Sequence, residues 1–463
     1  MGQRRCHSEV PCVQATGDRL PGSRITHHAS RSVCLLVAVL CAAIVTAAEP
    51  PAPKFQLSLR KALDTLPFRV HGFFETRAGT RTQQDRYVSE TASIGESRLQ
   101  LELSKVLEIG ELQPELRIKS DFLYDAITRD ATTALREAFV LVSPFEFADL
   151  KLGRQVLTWG TGDLLFINDL FPKSWRSFFI GRDDEYLKAP SEAAKASFFS
   201  DIANLDVVYS ARFQADEYIT GERLSYWSDG LRSRAGEDAR VRDSEPDHWF
   251  DDDEIALRLY RNISGYEFAL YGYHGYWPTP AGMNPLTGKA TFPKLSVAGA
   301  SARGAVLKGI GNIEVGYYHS RDDDAGTDPL VRNSEFRLLL GYEQEVAKDF
   351  TAGLQYYIEW MMDHGAYKQG ARAAGIHPRD EVRHLITLRL TRLLLNQNLK
   401  LSLFTYYSPT DSDTYLRPKV HYKIDDHWSA EVGGNIFLGA HEHTFFGQFE
   451  RNTNAYAGVR YSF

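Results

Sequence analysis

The octet Glu115-Leu116-Arg117-Ile118-Lys119-Ser120-Asp121-Phe122 puts Leu116, Ile118 and Phe122 on one side of an extended chain and Glu115, Arg117, Lys119 and Asp121 on the other. Successive side chains of a strand point to opposite faces, so this period-two alternation reads as a β-strand between an apolar and a polar environment. The pattern recurs. Leu99, Leu101 and Leu103 oppose Arg98, Gln100 and Glu102; Leu205, Val207, Tyr209 and Phe213 oppose Asp206, Ser210 and Arg212. Phe350, Leu354, Tyr356, Ile358 and Trp360 oppose Thr351, Gln355 and Glu359; Leu416, Val420, Tyr422 and Ile424 oppose Arg417, Lys419, His421 and Lys423.

Strand patterns fall near 68–80, 94–106, 111–124, 134–143, 148–159, 192–200, 204–214, 253–262, 265–276, 294–307, 311–321, 333–346, 350–362, 381–393, 397–408, 414–424, 427–438 and 453–463. Tight turns near 107–110, 144–147, 201–203, 262–265, 308–310, 347–349, 394–396 and 425–426 alternate with longer polar segments at 81–93, 125–133, 160–191, 215–252, 277–293, 322–332, 363–380, 409–413 and 439–452. Short turns at one end and long loops at the other are the pattern of a transmembrane barrel with periplasmic turns and extracellular loops. The expected fold is therefore all-β: one transmembrane antiparallel β-barrel over residues 67–463 with about 18 strands. The segment 192–200 alternates poorly, which leaves 16 as the alternative count. An even number returns both chain ends to the periplasmic side.

What precedes residue 67 reads as processing signals. Residues 33–45 form a 13-residue apolar run, preceded by Arg24 and Arg31 and followed by Thr46-Ala47-Ala48. Basic flank, short apolar core and small residues describe a secretory signal peptide, here 1–48. A membrane helix needs about 20 apolar residues; an uncleaved anchor is the other reading of this stretch. Residues 49–66, with Pro50, Pro51 and Pro53, read as a periplasmic leader, either with one or two helical turns or without structure. Cys6, Cys12, Cys34 and Cys41 all precede the expected cut, so a processed chain has no disulfide, cysteine–metal site or reactive thiol. The formal charge is −7; removal of residues 1–48 takes away five arginines and two acidic residues and leaves −10, which argues against nucleic acid as a partner. Beyond the signal no apolar run is long enough for a membrane helix, yet the chain holds 23 Tyr, 26 Phe and 7 Trp. An exported, aromatic-rich chain without a membrane helix fits a barrel with interfacial aromatic girdles. A soluble sandwich or propeller shares the alternation; the leader, the loop asymmetry and the chain end favour the barrel.

That end reads Tyr456-Ala457-Gly458-Val459-Arg460-Tyr461-Ser462-Phe463, an amphipathic strand finishing in Phe. It resembles the C-terminal signal by which outer-membrane barrels are recognised by their assembly machinery, a resemblance that implies that machinery as a partner through Phe463. The segment Leu135-Arg136-Glu137-Ala138-Phe139-Val140, with Leu150-Lys151-Leu152-Gly153-Arg154-Gln155 and Trp159-Gly160 after it, resembles a family of porin-like Gram-negative outer-membrane proteins and, more distantly, the alginate export porin. The resemblance covers 135–160 and the closing strand and is weak in the loops. It implies a channel in the cell outer membrane, in contact with outer-membrane lipid and lipopolysaccharide; alginate export itself does not carry over.

If one face of each strand meets lipid, the other lines the interior. Arg117, Lys119, Arg337, Arg383, Arg389, Arg417, Lys419 and Lys423 are then pore-lining candidates, and arginine and lysine ladders favour anionic solutes. A salt-bridged interior that only props the barrel is the competing reading. The glycine-rich stretch from Arg154 and Gln155 through Trp159 to Asp163, with Asn168 and Asp169, opens a long aromatic loop that is a candidate constriction; a loop packed outside is the alternative. Acidic runs at Asp183-Asp184-Glu185, Asp251-Asp252-Asp253-Glu254 and Asp322-Asp323-Asp324 read chiefly as solvated outer loops, and His441 and His443 flank Glu442 without the spacing of a firm metal site. No nucleophile elbow, phosphate loop or haem motif occurs, and His319 and Ser320, being adjacent on a strand, point to opposite faces. No catalytic residue, metal or cofactor is expected. The function read from the sequence is passive passage of polar, anionic solutes or acidic saccharides. The alternatives are a structural barrel that sheaths or anchors a partner, and an outer-membrane lipid-modifying enzyme.

Overall fold

A computed structural model describes residues 67–110 and 112–463. The expected signal segment 1–48 and leader 49–66 lie outside the described residues. The strands are β1 (Arg69–Arg81), β2 (Ala92–Val106), β3 (Glu115–Asp125), β4 (Asp130–Phe145), β5 (Ala148–Val156), β6 (Pro190–Phe198), β7 (Asn204–Ser210), β8 (Glu254–Ile263) and β9 (Tyr266–Tyr276). They continue as β10 (Lys294–Val306), β11 (Gly309–Ser320), β12 (Glu335–Ala347), β13 (Phe350–Met361), β14 (Val382–Leu394), β15 (Leu399–Ser408), β16 (Asp413–Lys423), β17 (Trp428–Gly439) and β18 (Asn454–Ser462). Each strand pairs antiparallel with the next, and β18 pairs back onto β1 from Phe73↔Ser462 to Arg81↔Asn454, so the 18-stranded sheet closes. Closure matters because an open edge would leave a row of unpaired backbone groups.

Eighteen strands, not sixteen, form the barrel. The poorly alternating segment is β6. Its alanines give little pattern, but its backbone pairs with β5 along all nine residues, from Ala148↔Phe198 to Val156↔Pro190. Two connections expected to be long are tight. Residues 126–129 close a hairpin with Arg129 at φ 62° and the Asp125 carboxylate accepting from the Ile127 N–H at 2.9 Å; residues 409–412 close another with Ser412 at φ 52°. Side-chain acceptors, Asp125 in the first and the Ser408 hydroxyl accepting from the Asp411 N–H at 3.1 Å in the second, help to close these turns, whereas polar composition alone had suggested length.

The register fixes which face is which. Ile118 and Phe122 stand on the outer wall of β3, while Asp121 on the other face is only 1 % exposed. Leu270, Leu354 and Val459 likewise project outward from β9, β13 and β18. The interior side carries Glu75, Arg77, Arg98, Glu96, Glu314, Glu335 and Arg417, all buried. A soluble barrel would have this reversed. Apolar wall outside and paired charge inside is the arrangement that hydrocarbon demands, where backbone groups must be satisfied within the sheet. We expect Leu270→Arg, at the middle of β9, to destabilise vesicle-inserted protein by about 2–4 kcal/mol. Denaturant titration of the folded, lipid-inserted chain measures this; an unchanged midpoint would remove Leu270 from the lipid-facing wall.

Candidate functional site

Residues 157–189, between β5 and β6, run into the barrel. A short helix, α1 (Trp175–Ile180), is capped by Ser174, whose hydroxyl accepts from the Ser177 N–H at 3.3 Å, and ends at Gly181 with φ 93°. It carries Phe178, Phe179 and Ile180 into a cluster with Tyr406, Tyr415, Phe437 and Tyr456 from the inward faces of β15 to β18. The Phe179 ring lies 5.5 Å from both Tyr415 and Phe437. Burying such rings contributes roughly 1.5–3 kcal/mol each. Ile167 packs with Tyr318 and Leu339 in the same cluster. Inward-facing Gly299 and Gly316 admit the segment: a Cβ on the first would collide with Asn168, and on the second with Ile167.

Polar groups tie the segment to strands all around the wall. The Glu314 carboxylate on β11 accepts from the backbone N–H of Thr161 (2.7 Å), Gly162 (3.2 Å) and Asn168 (2.8 Å), and from Asn168 Nδ2 (3.0 Å). Gln355 on β13 accepts from Asp163 N–H at 2.7 Å and donates to the Asp163 carbonyl at 2.9 Å. Arg389 donates to the Asp163 carboxylate at 2.7 Å, Arg417 to Asp184 at 2.9 Å, and Arg460 to Asp183 at 3.3 Å. Arg182 of the segment reaches Glu96 on β2 at 2.6 Å, and Arg77 on β1 donates to the Gly181 carbonyl at 2.9 Å. Burial would raise the Asp184 carboxyl, but Arg417 and Lys419 hold it well below the usual carboxylate range. Asp216, in the loop before β8, accepts from Lys173 N–H at 2.7 Å and Trp175 Nε1 at 2.8 Å; burial pushes it up to about 6 against the pull of Lys173.

The pore-lining candidates all face inward by register, but their charge is mostly matched. Arg117 pairs with Glu102 (3.5 Å) and Glu115 (2.9 Å), Arg337 with Glu335 (2.8 Å), and Arg383 with Asp411 (2.5 Å). Arg389 pairs with Asp163 and Arg417 with Asp184, while Lys419 lies 3.6 Å from both Asp184 and Glu431. Lys423 meets Asp426 in the following turn at 2.7 Å. Lys119 alone of the eight has no carboxylate within 4.0 Å among the described residues. The ladder expected of the late strands is thus not a row of free cations, because the inserted segment brings in acids that the strand pattern does not contain.

Of the constriction candidates, Gln155 faces inward and donates to the Ala193 carbonyl at 3.0 Å. Trp159 packs edge-on against Phe171 at 4.9 Å, Asp169 pairs with Lys173 at 2.9 Å, and Asp163 and Asn168 are the anchors just described. Arg154 is a correction: it stands on the outer wall, donating to the Leu135 carbonyl at 2.6 Å and pairing with Glu192 at 3.1 Å, because one step along a strand reverses the face. The acidic run 183–185 is another correction. It lies within the barrel rather than in an outer loop, with Asp183 and Asp184 held by strand cations. His443 gains His377 as a neighbour with ring centres 4.1 Å apart, but no group among the described residues is arranged to hold a metal. Sequence reading put Gln355 on the polar face of its strand but gave it no role, and it missed Glu314. The place of Glu314 as a carboxylate among glycines and aliphatic residues in Gly309-Ile310-Gly311-Asn312-Ile313-Glu314-Val315-Gly316 is the one signal that pointed to it.

On the long-loop side of the segment opens a cavity of about 2070 Å³. Leu164, Leu165, Phe166 and Trp175 form its floor, and Arg332, Arg337, Arg379 and Arg383 stand on one wall. Arg332 stacks over Trp277 at 4.8 Å and Arg337 over Tyr318 at 3.8 Å. α2 (His364–Ala374) borders the cavity through Tyr367.

No protein-family model matches the chain, and no curated protein sequence does. Solved structures that it resembles include a mutant of the Rh. blastica porin, at 13% identity and TM-score 0.40 over 86% of this chain and 100% of that one. Another is Salmonella typhi OmpF in complex with daunomycin, at 10% identity and TM-score 0.42 over 86% of this chain and 97% of that one. The strand register, not this distant likeness, carries the fold.

Glu314→Gln removes the charge that gathers the start of the segment. Hydrogen bonds to a charged group are worth about 1.5–3 kcal/mol, so we expect a loss of that order and new protease cleavage within 157–170 while the barrel itself stays resistant. Uncleaved, equally stable protein would show that Glu314 is not the anchor. Asp184 is held below its unfolded value, so its contribution is complete above about pH 4 and is lost only in stronger acid. Protease resistance around residue 184 should accordingly be constant between about pH 5 and 8, and Asp184→Asn should weaken it.

Proposed function

We propose that this chain is an outer-membrane channel for passive passage of polar, anionic solutes, with the long loops outside the cell and both ends of the barrel chain, at β1 and β18, on the periplasmic side. The observation that carries this reading is the division of faces: an apolar outer wall around a polar interior, narrowed by the inserted segment below an open vestibule. Anion preference is supported by the vestibule wall rather than by the strands below it. There Arg332, Arg337, Arg379 and Arg383 stand among Glu335, Glu359, Asp380, Glu381 and Asp411, and the support comes not from net charge but from the exposed Arg379 guanidinium, whose carboxylate contact, Glu335, is 3.9 Å away. A sheath around a threaded partner fits less well, since residues 157–189 occupy the lumen.

A second reading has one observation behind it. On the outer wall a cross-strand row aligns His274, Ser296 and His319, and His274 Nδ1 lies 3.0 Å from Ser296 Oγ. A serine hydrogen-bonded to an imidazole has the elements of an acyl-transfer site facing lipid. Release of labelled fatty acid, abolished by Ser296→Ala, would favour the lipid-modifying enzyme.

For the channel, we expect discrete conductance steps in planar bilayers and a reversal potential in a KCl gradient that favours chloride. Arg379→Glu with Arg383→Glu should move that potential towards cations. Arg417→Gln should move it less, because Arg417 is committed to Asp184. Silent bilayers, or cation preference in the unaltered protein, would overturn the reading.

A further inference from the structure

Two rows of inward side chains lie one below the other on the wall made by β12, β13 and β14. Register aligns Arg337, Glu359 and Arg383 in the first and Leu339, Tyr357 and Leu385 in the second. Two residues along a strand separate them by roughly 7 Å. Tyr357 and Leu385 reach the vestibule, as do the half-buried Leu164, Leu165, Phe166 and Trp175 of the inserted segment. A charged band therefore borders an apolar floor inside a water-filled entrance. Leaving that floor wet costs about 25 cal/mol for each Å², and barrel closure does not require it. Binding pockets pair such apolar lining with a few fixed polar groups.

Two guanidiniums on this wall, Arg383 in the band and Arg379 in the loop before β14, have capacity to spare, although Asp380 and Glu381 line the same cavity. Arg379 has a 44 % exposed side chain whose carboxylate contact, Glu335, is 3.9 Å away. Arg383, with a 19 % exposed side chain, spends Nε on Asp411, while its Nη2 is buried and has no hydrogen-bond partner among the described residues. Resting on the channel reading, we propose that the vestibule wall is a binding site for small amphipathic anions: a carboxylate held by Arg379 and Arg383, and an aromatic or alicyclic body laid over Phe166, Trp175 and Leu385. An acidic saccharide matches this wall less well, because its hydroxyls need polar partners that a leucine and phenylalanine floor lacks. The cavity exceeds the roughly 300–1,000 Å³ of a closed ligand pocket, so a solute held at one wall keeps water beside it and can leave, as transit requires.

The test is isothermal titration of the intact barrel in lipid nanodiscs with 2-naphthoate, D-glucuronate and 2-naphthylmethanol, using empty nanodiscs as the blank. Naphthoate should bind at least tenfold more tightly than either of the others. Arg379→Gln with Arg383→Gln should weaken naphthoate at least fivefold and leave the alcohol unchanged; Phe166→Ser should weaken both naphthalene compounds. Glucuronate binding as tightly as naphthoate overturns the proposal, as does naphthoate affinity indifferent to the arginine pair. Should a variant fail to fold, the ranking of the three compounds on the unaltered protein still decides. Naphthoate binding without bilayer conductance would sink the channel and leave the site; conductance without naphthoate preference would do the reverse.

Discussion

The structure depends on closure of one sheet. Hydrocarbon offers backbone N–H and C=O groups no partner, so every strand needs two neighbours, and the pairing of β18 with β1 supplies the last of them. Once the sheet is closed, each strand must send alternate residues into a confined interior. The period-two pattern then has two consequences together: an apolar wall, and a high density of ionisable groups packed inside.

Those interior charges need partners, and the wall alone does not supply them all. Arg417 and Arg389 find theirs on the inserted segment. Conversely, Asp183, Asp184 and Arg182 would be costly to place inside a barrel that lacked Arg460, Arg417 and Glu96 opposite them. Segment and wall are therefore complementary, and their fit also rests on a nonpolar core around Phe178 and Phe179. Removing one partner of such a buried pair leaves the other uncompensated, which is more damaging than never having built the pair.

This complementarity shapes function. A free arginine ladder would impose a long-range field on any ion in the lumen. Matched pairs do not, and recognition then falls to places where charge is locally unbalanced and reachable. The vestibule wall is such a place, since the exposed Arg379 guanidinium there has only a 3.9 Å contact with Glu335 and stands beside an apolar floor. Selectivity by contact at an entrance differs from selectivity by field along a pore: it depends on solute shape as well as sign.

All eighteen strands were legible in the sequence, including the doubtful β6, because alternation and turn spacing are local properties and closure requires only backbone pairing. The inward direction of Arg117, Lys119, Arg337, Arg383, Arg389, Arg417, Lys419 and Lys423 was legible for the same reason. Arg154 was misassigned because glycine-rich sequence around it masked its place in the alternation, and a single step reverses the face. What the tertiary structure alone decided was who meets whom. Glu314 and Thr161 are 153 residues apart, and Arg417 and Asp184 are 233 apart. A strand pattern fixes the direction of a side chain, but its charge acquires meaning only from what closure brings opposite it, and no local property of the chain encodes that distance.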